Sequence, residues 1–359
     1  MAEDDFDPFA EHDEDAPLKP RVNLSYVNET EASRRVLGAS AWSRFAGKFR
    51  FSMAGLIFFG KLVLVVAIIL AYPIMSALSH QINDRTIEPD DSRYWAVPEI
   101  GVTSVLIGRE LDGPGWAGDR HPWHPQSRLT ALPAWQDGIL EAIASHGRLI
   151  IRQIEDQRDA DLIAAIRLLD PAEGQDTTSR LIAASEALSR YDDRVAGGVT
   201  IAPTGADAMS ARLALVQNWA KARHVELAEI ASPGDGWIAS SEAIEAVYHA
   251  KATAHVAHEL LAASLRNEES LLATYEAADA YKAMLADWRR AATLRPLFVA
   301  NQGSDAASGV NHPAIIAFHL EEARRATLAL EEVFKTPPPA LLEDPEAQNT
   351  EALAKLTSN

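Results

Sequence analysis

Several side chains able to hold a metal or move a proton crowd one stretch of this chain: His249, Lys251, His255 and His258, with Glu259 directly after them. On a helix, positions three apart lie about 60° apart, so His255 and His258 can reach one ion, and Glu259 falls in the same arc. The chemistry on offer is metal-dependent hydrolysis. A zinc site needs a third protein ligand, however, and no spacing nominates one. Neither an H-E-x-x-H run nor paired E-x-x-H helices occur. The competing reading makes these residues core or rim histidines, with His258 on the apolar face between Val247 and Leu265 and His249 on the opposite side.

A second cluster lies in the string DRHPWHPQ, where His121 and His124 are surrounded by Trp116, Trp123 and Trp135. Prolines deny that loop helical geometry. Its functional reading is an aromatic groove for a partner; its structural reading is a loop pinned to the domain by Trp side chains, the commoner use. The third candidate is the loop NQGSDAASGVNHP, with Asn301, Asn311 and His312 as possible ligand contacts. It lacks phosphate-loop spacing, so Asn311 or His312 is expected to cap the following helix, and Gly303 and Gly309 to supply positive φ. No serine elbow occurs either. Three weak constellations favour binding over catalysis, and neither a metal nor an organic cofactor is expected.

The elements that must position these residues are helical. Apolar spacing of three and four runs from about Ala134 to Asp170-Pro171. It resumes from Thr177 or Thr178 to Gly197-Gly198, from Thr204 to Ile230, from Ser240 to Arg266 and from Leu271 to Arg295. The last run follows Pro313 through Ile316, Leu320, Ala323, Leu330 and Phe334. A short helix is expected around Thr103–Leu111. No run alternates as a strand would. The expected fold is all-α, a bundle of about six or seven helices over residues 100–335.

Ahead of the bundle, Leu56–Leu78 is apolar with one charge, Lys61. Its length suits a membrane span, which needs about 20 residues. Arg34, Arg35, Arg44, Lys48 and Arg50 precede it, whereas Asp84, Glu88, Asp90 and Asp91 dominate the far side. The positive-inside rule therefore puts the N-terminus in the cytoplasm and the bundle outside. A cleaved signal peptide would require an abnormally long leading segment. Around this helix we expect a disordered acidic arm at 1–33, a basic juxtamembrane segment at 34–55, a linker at 79–99 and a mobile tail at 336–359. Between Glu3 and Asp15 stand eight acidic residues and no Lys or Arg. The net charge of −18 argues against nucleic acid. The absence of cysteine excludes disulfides and thiolate sites.

Two blocks, GRELDGPGWAGDRHPWHPQSRLTALPAWQDGIL (108–140) and LRPLFVANQGSDAASGVNHPAIIAFHLEEA (294–323), resemble the bacterial membrane proteins called domain of unknown function family 2333. Here Trp123-His124-Pro125 and Leu132-Pro133-Ala134-Trp135-Gln136 stand where that family carries asparagines. The resemblance implies an inner-membrane protein with a periplasmic helical domain, and supplies no activity. The expected function is a non-enzymatic interaction or envelope-assembly module, with membrane lipid and an envelope protein as partners. The alternatives are a periplasmic metal-dependent hydrolase using His255, His258 and Glu259, and a homo-oligomer.

Overall fold

The computed structural model describes residues 53–79, 82–88, 94–154, 159–170, 176–233, 239–296, 299–303 and 310–338. The acidic arm, most of the basic segment and the tail from 339 lie outside the described residues. Two compact units divide at Ile69 and Leu70.

The first helix, α1 (Met53–Ser79), has 27 residues and a single charge, Lys61. Its described apolar side chains are exposed to solvent: Phe58 is 70% and Ile69 64% exposed. Among the described residues no helix is long and apolar enough to cross a membrane. The side chains of Met53, Ala54, Leu56, Ile68 and 71–79 fall outside the described set.

The second unit carries α2 (Pro98–Asp112), α3 (Ala131–Gln153), α4 (Ala160–Leu169), α5 (Thr177–Ala196) and α6 (Gly205–Ala231). It continues with α7 (Ser241–Asn267), α8 (Glu269–Thr274), α9 (Ala278–Ala292) and α10 (His312–Lys335). Among the described residues there is no strand, only an antiparallel bridge between Asn301 and Asn311. The fold is all-helical. Among the described residues nine α-helices follow α1, against the six or seven expected, for two local reasons. The run read as one helix from Ala134 to Asp170 breaks after Gln153, and Asp159 caps a fresh start by accepting from the N–H groups of Asp161 and Leu162. The run from Leu271 breaks at Glu276, whose φ of 52° no helix tolerates.

α7 is the axis of the unit and packs against α2, α3, α6, α9 and α10. Alanines on several faces of it are buried, among them Ala243, Ala246, Ala250, Ala252, Ala254 and Ala257. Small side chains all round let neighbouring helices approach closely. At Gly138 of α3 a Cβ would sit 2.8 Å from the Ala252 Cβ, so only glycine allows this crossing without a shift. The core is split accordingly. One cluster unites α6, α9 and α10 with one side of α7, including Trp288, Leu320 and Phe334. The other unites α2 to α5 with Ala252, Val256, Leu260 and Ala263. On α10 the anticipated stripe of Ile316, Leu320, Ala323, Leu330 and Phe334 is buried throughout, each large side chain stabilising the fold by about 1.5–3 kcal/mol.

Two expectations need correction. The cap of α5 is Asp176, whose carboxylate accepts from the Ser179 N–H, and not Thr177 or Thr178. A second carboxylate joins it: Asp119 accepts from the N–H groups of Thr177 and Thr178 and from the Thr178 hydroxyl, at 2.6–3.0 Å. Asp119→Ala should therefore cost roughly 1 kcal/mol in a urea melt, the usual value of a helix cap; no change would deny it that role. The stretch read as a linker at 79–99 also contributes to the interior, since Asp84, Ile87, Val97 and Glu99 are buried.

Candidate functional site

Lys251, His255 and Glu259 stand four residues apart on α7, so they share one face that turns slowly along the helix. The eight residues from Lys251 to Glu259 rise about 12 Å. Laid along that face is the extended segment 82–88. Its Asp84 accepts from Lys251 Nζ at 2.7 Å, and the Ile87 N–H donates to Glu259 at 3.0 Å. Three extended residues cover about 10 Å, which matches the helix spacing and fixes the segment in register.

Around that pair of anchors the polar groups close on one another. Arg295, just past α9, donates from Nε to Asp84 at 2.9 Å and makes a second, very short contact to it. Burial pushes the Asp84 carboxyl up, but hydrogen bonds and charge from Arg295 and Lys251 outweigh it and leave it below the usual value. Lys251 is held below the usual lysine value because burial outweighs its carboxylate partner. Its ammonium also stands 5.6 Å from the centre of the Trp135 ring. The other side of the cluster holds His258, 3.0 Å from Glu259, and His255, 3.9 Å from the same carboxylate. His255 stacks on Trp135 with centroids 5.4 Å apart, and burial drives its pKa down to about 4. Burial raises Glu259, yet His258, His255 and the Ile87 N–H bring it below the ordinary value. Trp135 in turn donates to Glu110 at 2.9 Å, and Gln136 does so at 3.0 Å. Burial lifts the Glu110 carboxyl above its usual range despite those two bonds.

The interior of this cluster is thus a lock of mutually satisfied charges around a neutral imidazole. A general base works best when its pKa lies near the operating pH, and His255 is displaced well below it. Among the described residues no group of three His, Cys, Asp or Glu side chains could hold a metal ion. His255 and His258 do share a face with Glu259, as their spacing implied. The cluster opens instead towards a cavity of about 440 Å³ lined by Asn83, Asp84, Arg85, Arg109, Pro114 and Arg295. Comparison with protein-family models, curated proteins and solved structures finds no match.

The other sequence candidates stay apart. Trp116 and Trp135 are buried in the same core cluster, whereas Trp123 is 76% exposed. His124 Nδ1 accepts from the Gln126 N–H and so starts a 3₁₀ turn, Pro125–Arg128. Asn301 and Asn311 donate their amide N–H groups to the carbonyls of Ile230 and Ala231, each at 3.0 Å, closing the end of α6. Asn311 also caps α10, and His312 Nδ1 accepts from the Ala300 N–H at 2.9 Å. Gly303 has the expected positive φ, 76°; Gly309 lies outside the described residues. His249 pairs with Glu141 at 3.0 Å beside Arg223 and a groove rich in carboxylates, apart from the Glu259 partner of His258.

Sequence reading missed Asp84, Arg109, Glu110 and Arg295. Asp84 lies 167 residues from Lys251 and 211 from Arg295, so no local spacing could pair them. Only Lys251, among the small side chains between His249 and His255, hinted that a distant carboxylate must exist.

Proposed function

We propose that this chain is a single-pass membrane protein whose helical domain works by binding, outside the cytoplasm, rather than by catalysis. The observation that carries the reading is α1: 27 residues with one charge, whose described apolar side chains are exposed on every side. A helix apolar all round requires an apolar surrounding, either a protein core or a bilayer. Its length exceeds the roughly 20 residues that a span requires. The basic flank before it and the acidic flank after it support a cytoplasmic N-terminus. The resemblance to the family 2333 membrane proteins belongs to the same proposal, as does the inner membrane as location. Binding is favoured over hydrolysis because the titratable groups of the α7 cluster are engaged with one another rather than poised.

The absence of cysteine makes the topology directly testable. In intact cells a membrane-impermeant maleimide should label Ser270→Cys, on the exposed surface of α8, and leave Ser33→Cys unlabelled. The chain should also stay in the membrane pellet after alkaline carbonate. The reverse labelling pattern, or release by carbonate, would sink the anchor. A photo-crosslinking residue in place of the exposed Trp123 should then capture one discrete envelope protein; a blank lane would remove the docking reading.

A further inference from the structure

The cavity beside Asp84 differs in charge from the protein around it. The chain as a whole carries −18, yet three guanidinium groups, Arg85, Arg109 and Arg295, line this opening against the single carboxylate of Asp84. That carboxylate is already shared by Lys251 and Arg295. Arg109 is held in place by the carbonyls of Arg85 at 2.6 Å and Thr86 at 3.4 Å. Arg85 is exposed. A planar guanidinium fork matches the oxygens of a phosphate, which can accept paired N–H bonds from it.

We propose that this cavity is a phosphate-ester site, and that its source is the headgroup of an anionic membrane lipid. The lipid half rests on the reading of α1 as an anchor. Covalent reach supports it: α1 ends at Ser79, and the five residues to Asp84 can span at most about 18 Å. Asp84 and Ile87 then tie the chain to α7. Headgroup layers extend some 5–8 Å beyond each side of the hydrocarbon core, within that tether. A soluble phosphate ester has the same recognition chemistry, so the test must separate the two sources.

The full chain, purified in neutral detergent, is titrated with phosphatidylglycerol, phosphatidylcholine or glycerol 1-phosphate, and bound ligand is read by native mass spectrometry. One phosphatidylglycerol is expected to bind in preference to phosphatidylcholine. Arg85→Glu should weaken it by about tenfold to a hundredfold, the usual effect of losing a charged hydrogen bond and adding repulsion. Arg85 is exposed, so this variant should fold, and an unchanged urea melt checks it. Arg109→Gln should weaken the same adduct. Binding of glycerol 1-phosphate alone, lost in Arg85→Glu, keeps the phosphate site and overturns the lipid source. Equal binding of both lipids that ignores Arg85→Glu, with no glycerol 1-phosphate adduct, overturns the site. Carbonate extraction of the cell membranes from which each sample is purified separates the two readings. If the chain remains in the pellet while phosphate fails, only this proposal falls; if it is released, the anchor falls whatever the cavity binds.

Discussion

Asp84→Ala should destabilise the domain by roughly 3–5 kcal/mol, the typical cost of breaking a buried ion pair from one side. The substitution strands the Lys251 ammonium, only 3% exposed, against the face of Trp135 with its carboxylate gone. A cation over an aromatic ring recovers about 0.5–2 kcal/mol, too little to compensate. Lys251→Met should cost less, because Asp84 keeps its bonds to Arg295 at the cavity rim. The double variant Asp84→Ala/Lys251→Met should regain most of the loss, since an apolar pair of similar volume replaces two charges. Urea melts of the full chain in micelles, followed by helical circular dichroism, close this double-mutant cycle. If Asp84→Ala lies within about 1 kcal/mol of the parent, the pair is not the clamp that holds segment 82–88 on α7.

That clamp shows where sequence reading stops. Within a helix, spacing is informative: the stripe of α10, the Gly197-Gly198 stop of α5 and the Asn311 cap follow from local rules and reappear in the fold. α7 is different. It is buried on nearly every face, so its apolar pattern carries little directional signal, and the face holding Lys251, His255 and Glu259 could be grouped but not given partners. The partners come from segment 82–88, from Glu110, Trp135 and Gln136, and from Arg295, brought together by tertiary packing alone. The two broken helices failed for a local reason that periodicity overlooks. Asp159 offers a cap in mid-run, and Glu276 takes a left-handed conformation that acidic side chains rarely advertise. The aromatic loop divides the same way. Trp116 and Trp135 behave as core residues and Trp123 as surface, a distinction that composition cannot make.

Acid should destabilise this domain as pH falls from 6.5 towards 4, because two histidines are buried uncharged. His146 on α3 is 3% exposed and neither ring nitrogen has a hydrogen-bond partner among the described residues; His255 is 2% exposed with Nε2 likewise unpartnered. Burial lowers both from 6.5 to about 4, with Glu99 and Glu259 respectively opposing the shift. The unfolded chain therefore takes up protons near pH 6.5 that the folded chain refuses until near pH 4. Stability is full above pH 6.5 and falls as pH drops through that window. Each histidine accounts for about 3 kcal/mol, at 1.36 kcal/mol per pH unit. Together they approach the whole stability of an ordinary domain, about 5–15 kcal/mol, so urea midpoints should collapse between pH 6 and 4.5. Asp84 cannot produce this fall, since its lowered pKa keeps it ionised until below its ordinary 3.8. His146→Leu separates the contributions: its nitrogens have no hydrogen-bond partner among the described residues, so the variant should match the parent at pH 7 and lose about half of the acid slope. A flat profile from pH 6.5 to 4.5, or a slope unchanged in His146→Leu, would mean that one or both imidazoles gain partners or charge in the folded state.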